Sequence, residues 1–205
     1  MPNDLDIHWG DCHFAVIDVE GNGQNPLEII EIAVLHVRHT EIQLPVAEWM
    51  VLPEKPVTEI ASRIHGITNS DLVGMPRLSE ISTELFPLLG TNIIIGHNVS
   101  HDVKLIRDKI PAWHPAVLLD TLKLARRLLP NVHSYALRDL MAEYSISSSS
   151  LRMHRAAADV LVTAQLFLRL VKQLDKNADL TIKQLIELSG TGAGTLLTGS
   201  QLNLF

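Results

Sequence analysis

The sequence predicts an α/β fold, a mixed five-stranded sheet (an antiparallel meander plus parallel strands) with helices on both faces. Three observations carry this. Short apolar runs bounded by turn residues recur at 14–19, 28–37, 41–52, 92–96 and 117–120. The first three are joined by links too short for a helical crossover, so they pair as a meander. After residue 90, strands alternate with segments whose apolar residues fall at helical spacing, which makes the rest of the sheet parallel.

The elements follow in order. Residues 1–11 read as a flexible lead-in; His8 and His13 flank Trp9 and Cys12 there, a spacing better suited to a solvated segment than to a metal site. Strand one, 14–19, ends at the turn residues Gly21, Gly23, Asn25 and Pro26. Strands two and three flank a short gap at 38–40, which predicts a hairpin. Around Pro53 and Pro56 the chain turns, and Thr68 or Ser70 is placed to cap a short helix from about Asp71. Ser79 to Leu89 carries an apolar stripe at Ile81, Leu85, Leu88 and Leu89, stopped by Gly90. The fourth strand leads into a helix from Ser100 to Lys109 with Val103 and Ile106 inward. The fifth leads into a helix over Thr121–Leu129, ended by Pro130, in which Asp120 is the N-cap. Ser134 to Tyr144 is helical, Ser147–Ser150 a loop, and Arg155 to Asp175 a long helix with Val160, Ala164, Phe167, Leu168 and Val171 buried. Thr181 to Leu188 is a last short amphipathic helix.

The bulk numbers fit one domain. There are 205 residues, 46% of them hydrophobic, enough for a sizeable core. No apolar stretch is long enough to span a bilayer, which argues against a membrane partner. The acidic start lacks a signal-peptide pattern and the single Cys12 forms no internal disulfide, so a cytoplasmic location is expected. A net charge of −6 excludes grip on nucleic acid by bulk electrostatics. It leaves room for a nuclease whose metal-holding carboxylates contribute to that charge.

The chemistry begins at Asp18 and Glu20. On a strand they share a face, with Cα atoms roughly 6.5–7 Å apart. Alone, the pair also fits two solvated acids at a strand end. Asp102 falls in the first turn of a helix, near the carboxyl ends of the strands, where α/β sheets place ligands. A residue complementing the helix dipole reads the same way. His154 and Asp159 are five apart and would lie about 140° apart on one helix. The upstream serine loop resolves this, putting His154 before the helix and Asp159 on it. Four acids clustered without a cation would repel one another. Two Mg²⁺ or Mn²⁺ ions roughly 3.5–4 Å apart would offset that repulsion and flank the oxygens of a phosphodiester displacement. A histidine, unperturbed near pH 6.5, suits removal of a proton from the attacking water. The reaction class implied is phosphodiester hydrolysis.

These motifs resemble the DEDDh group of 3′–5′ exonucleases, which holds polymerase III epsilon-type and exonuclease X-type enzymes. Asp18 and Glu20 match its Asp-x-Glu. Gly96, His97, Asn98 and Asp102 match Gly-His-Asn followed by Asp. His154 and Asp159 match His-x4-Asp. The resemblance covers about residues 12–175 and implies a ribonuclease H-like fold. It implies Asp18, Glu20 and Asp159 on one metal, Asp18 and Asp102 near a second, and His154 as general base. It also implies substrate contacts at Gly21, Ile64, His65, His97 and Asn98, with Ile64-His65-Gly66-Ile67 against the terminal nucleotide. Two positions depart from the family. Gly21 stands where Thr is usual and loses a side-chain contact. His101 stands where Phe is usual and weakens an apolar packing position. Lys123, Arg126 and Arg127 share a helix that could face phosphates, although a solvated charged face explains them equally.

The chain therefore divides into a lead-in (1–11), an exonuclease domain (12–176) and a tail (177–205). Four glycines over 190–200 make a linker reaching roughly 18 Å. It ends in Gln201, Leu202, Asn203, Leu204 and Phe205, which resembles the peptide by which bacterial polymerases and repair proteins dock on the β sliding clamp. Two leucines and a terminal Phe suit an apolar pocket. The expected function is 3′–5′ exonucleolytic release of nucleoside monophosphates from single-stranded or frayed DNA 3′ ends, in proofreading or repair, tethered to the clamp and serving a DNA polymerase. An RNA exonuclease and a non-catalytic binding module are the alternatives.

Overall fold

A computed structural model describes residues 5–90, 93–146 and 154–190. The expected clamp peptide, 201–205, the loop 147–150 and most of the linker lie outside the described residues.

One sheet of five strands has the order β3-β2-β1-β4-β5. β1 (His13–Gly21), β2 (Ile29–Arg38) and β3 (Glu41–Met50) form the antiparallel meander. β4 (Ile93–Gly96) pairs parallel with β1, and β5 (Val117–Asp120) parallel with β4. The β2–β3 hairpin pairs Arg38 with Glu41. His39 and Thr40 take φ of +48° and +64°, which matches the right-handed twist of the flanking strands.

Strand alternation sorts the core. Phe14, Val16, Ala33, Leu35, Ile93 and Ile95 point to one face, and Ala15, Ile17, Ile32, Val34 and Ile94 to the other. The first face is covered by α4 (Thr121–Leu128), α5 (Leu137–Glu143), α6 (Ala156–Leu174) and α7 (Ile182–Ser189). The second is covered by α2 (Leu78–Leu89) and α3 (Ser100–Lys109). α6 lies across β1 and β2 and is buried on more than the one stripe expected.

Three expectations are corrected. Residues 5–11, expected within a flexible lead-in, pack on the domain. Trp9 is 2% exposed, lies edge-on to Phe167 and donates its indole N–H to Asp175 at 2.7 Å. The backbone at Trp9 and Ile7 bonds to Leu180 and Ile182, so the start of the chain and α7 belong to the same core. Second, a helix missed in the sequence, α1 (Glu59–His65), precedes Gly66; Thr58 caps it and Gly66 ends it at φ +75°. Third, no helix begins near Asp71. Its carboxylate instead accepts the Thr68 N–H and hydroxyl and closes a turn.

Candidate active site

β1 changes chemistry without changing parity. Phe14 and Val16 face the core beneath α6, and two and four residues later the same face presents Asp18 and Glu20. The apolar stripe fixes the register, so the carboxylates emerge where α6 begins. Glu20 stands opposite Glu31 of β2, and the register shifts between Glu20 and Gly21.

α6 delivers Asp159 from its first turn. Asp18, Glu20 and Asp159 each present one ligand oxygen, all within 4.8 Å of one another. Asp102, 8% exposed, comes from the first turn of α3 and accepts the Val19 N–H at 3.2 Å. His154 lies just before α6 at φ +60°, exposed, and its backbone N–H bonds the Asp159 carboxylate. The expected four acids and histidine are thus gathered at one end of the sheet.

Their electrostatics are those of unpaired acids. Burial, then the neighbouring Asp102, Asp159, Glu20 and Glu31, raises Asp18 well above the usual carboxylate range. Burial and Asp159 push Glu20 up to about 8. Burial raises Asp102 to about 7, against the Val19 N–H. Burial raises Asp159 to about 6, against His154. Asp159 Oδ1 is buried with no hydrogen-bond partner. An orphaned buried oxygen and mutually repelling acids fit a hard divalent cation with oxygen ligands.

The remaining expected residues are placed as follows. His65 is 2% exposed; its Nδ1 accepts the Ile67 N–H at 3.0 Å. Its Nε2 is buried beside the Gly21 carbonyl but outside hydrogen-bond geometry with it. Ile64 is 56% exposed, on the outer face of α1 with Ile60. Asn98 is exposed at φ +67°, its N–H bound to Asp120 at 2.9 Å. Asp120 also caps α4 through the Leu122 N–H. It therefore ties the ends of β4 and β5 together as well as serving as the expected N-cap. His97 is turned inward, one ring nitrogen at 2.9 Å from Thr121 Oγ1 and the other at 2.8 Å from the Tyr135 carbonyl. It supports the loop, and its ring nitrogens are engaged by protein rather than offered to a substrate. His101 is exposed, so no apolar packing is lost there. Lys123, Arg126 and Arg127 are exposed on α4, with Arg126 over the Tyr135 ring at 5.7 Å.

The Glu31–Arg155 ion pair was missed in the sequence. Glu31 is fully buried and accepts the Arg155 guanidinium at 2.8 Å and the Ala156 N–H at 2.7 Å. A lone glutamate inside the apolar run Ile29–Leu35 was the available signal.

The chain is similar to known exonucleases and polymerase subunits. The RNase_T family model, described as exonuclease, matches residues 15–167. The DNA polymerase III subunit epsilon of Aquifex aeolicus (strain VF5) is 31% identical over 170 residues, covering 80% of this chain and 83% of that one. The PolC-type DNA polymerase III of Thermotoga maritima is 31% identical over 198 residues, 91% of this chain but 14% of that one. Exonuclease X, solved in complex with 5′ overhanging duplex DNA, superposes with a TM-score of 0.67 at 26% identity. The match covers 85% of this chain and 98% of that one.

Proposed function

From the premise that this chain belongs to the RNase_T exonuclease family, we propose that it is a divalent-metal-dependent 3′–5′ exonuclease removing nucleoside monophosphates from DNA ends. The observation that carries this is the convergence of Asp18, Glu20 and Asp159 within 4.8 Å, with one Asp159 oxygen left unpaired. Asp18, Glu20 and Asp159 would hold one Mg²⁺ or Mn²⁺, with Asp18 and Asp102 facing a second. When bound, such ions supply Lewis-acid stabilisation to the attacking and leaving oxygens of an in-line displacement.

The chain's own residues do the rest. His154 stands outside α6, reachable from solvent, and takes the proton from the attacking water. The left-handed turn at His154 leaves its backbone N–H on Asp159, so base and ligand are held by one short segment. Asp120 and His97 fix the loop that carries Asn98 toward α3 and Asp102. Ile64, exposed on α1, would meet the terminal nucleotide, with His65 buried behind it beside Gly21.

DNA as substrate is supported by the polymerase III relative and by the DNA held in the exonuclease X structure. A cytoplasmic place in proofreading or repair belongs to the same reading, as does a polymerase partner. So does tethering to the β clamp through Gln201, Leu202, Leu204 and Phe205. The direct test is digestion of 3′-labelled single-stranded DNA with and without Mg²⁺ or Mn²⁺. Release of mononucleotides should need the metal and vanish in Asp18→Ala; equal release by that variant would refute the mechanism. Removal of 201–205 should abolish clamp capture while leaving hydrolysis intact.

A further inference from the structure

α6 has no cap of its own. Its N-cap is Arg155, with no side-chain hydrogen bond to the first turn. Helices usually satisfy these early N–H groups locally, with Ser, Thr, Asp or Asn. Here the acceptor comes from another element. Glu31 of β2, fully buried, accepts the Ala156 N–H on Oε2 at 2.7 Å. Its Oε1 takes the Arg155 Nε at 2.8 Å and the Nη2 of the same guanidinium. Arg155 Nη2 also reaches Glu48 of β3 at 3.4 Å.

The location of this clamp matters. Glu31 is the cross-strand partner of Glu20. Arg155 immediately follows His154, and its carbonyl accepts the Asp159 N–H at 3.0 Å. One buried carboxylate therefore ties the strand pair carrying Asp18 and Glu20 to the helix turn carrying Asp159. It also occupies a cation that acts on Glu20 and that, without Glu31, would be left to Glu48 of β3 and the site acids. An arginine fork freed within a cluster of carboxylates would pair with them.

We propose that the Glu31–Arg155 pair is a positioning device for the metal-binding acids: it sets α6 in register with β1 and keeps the Arg155 charge from competing for Glu20 and Asp159. The inference rests on the exonuclease reading for the identity of the ligand, and it concerns neither substrate contact nor proton transfer.

The test separates positioning from simple support of the fold. In Glu31→Gln the shape stays and the charge goes. Mn²⁺ affinity, read without DNA by electron paramagnetic resonance of free Mn²⁺, should fall about 10–100-fold. The Mg²⁺ concentration for half-maximal hydrolysis should rise in parallel. In Glu31→Gln/Arg155→Gln the unpaired cation is gone, so Mn²⁺ affinity should recover most of that loss. Its kcat at saturating metal should stay low, because Ala156 still lacks its charged acceptor. Wild-type Mn²⁺ affinity in Glu31→Gln, with only a lower unfolding temperature, overturns the proposal. So does a double variant that binds no better than the single one. If Glu31→Gln fails to fold, Arg155→Lys keeps the charge but not the fork, and unchanged Mn²⁺ affinity there is equally decisive. A wild-type chain that binds Mn²⁺ yet releases no nucleotide would sink the exonuclease reading and leave this one standing.

Discussion

The backbone N–H of Val19, the residue between Asp18 and Glu20, donates to Oδ1 of Asp102 at 3.2 Å. That bond draws a helix-borne acid from the second face of the sheet toward two strand-borne acids on the first. Together with Asp159 they form a set whose proton affinities all rise, Glu20 to about 8 and Asp102 to about 7. The folded, metal-free chain therefore holds protons that the unfolded chain has released by about pH 5. A raised folded-state pKa contributes stability at low pH that is lost as pH rises through it. Between about pH 7 and 8.5 the metal-free unfolding temperature should fall. Histidine such as His13, lowered to about 4 by burial, acts in the opposite sense only below about pH 6.5. Mg²⁺ or Mn²⁺ should restore the loss at pH 8.5. Asp18→Asn should raise the metal-free value and cancel much of the metal's gain. Calorimetry in EDTA and in metal decides, and a flat profile across this window contradicts the account.

His154 acts on Asp159 both through the charge of its ring and through its backbone N–H. Its imidazole is exposed just before α6. His154→Ala should therefore lower the single-turnover hydrolysis rate by about 10²–10⁴-fold, the usual worth of a general base. Mn²⁺ affinity should change little, since the N–H that orders Asp159 survives the substitution. A comparable loss of both would mean that the ring holds the metal.

The acids were legible in the sequence because parity carried them. Apolar alternation through Phe14 and Val16 already says which face Asp18 and Glu20 take. The Ser-rich loop before Arg155 likewise separates His154 from the helix of Asp159. Other features were hidden for physical reasons. α1 is only seven residues long and amphipathic in the wrong direction, with Ile60 and Ile64 outward, so periodicity missed it. Thr58 and Gly66 at its two ends were the readable signals. Trp9 looked solvated because its partners, Asp175 and Phe167, lie more than a hundred residues away. Glu31 was invisible as a cap because the helix it serves is on another element.

Gly21 is filled by a neighbour. A Cβ there would come within 2.7 Å of Leu27 Cδ1 and 2.9 Å of Cγ. A side chain at this position thus competes with Leu27 for the same space beside Glu20. Gly21→Thr alone should cost about 1–3 kcal/mol, as overpacking does. Combined with Leu27→Ala, the two changes should couple favourably by about 0.5–3 kcal/mol relative to their sum. Urea unfolding of the four chains measures this. Strict additivity would show that Leu27 moves aside freely.

Trp9 is the strongest single test of where the domain begins. Its ring stands edge-on to Phe167 at 6.3 Å, and its indole N–H goes to Asp175. Asp175 also accepts the Leu180 N–H at 2.9 Å and faces His8 Nε2 at 2.8 Å. Burial would raise this carboxyl, yet the donors from Leu180, Trp9 and His8 hold it down to about 2. A depressed pKa contributes stability present above about pH 4 and lost as pH falls toward the folded value. Trp9→Ala should therefore cost about 3–5 kcal/mol at neutral pH. Trp9→Phe keeps much of the ring but leaves one Asp175 oxygen short of a donor, and should cost about 1–3 kcal/mol. Urea midpoints rank the two. A chain shortened by residues 1–11 with an unchanged midpoint is what a flexible lead-in would give, and the contacts of Trp9 argue for a large drop instead.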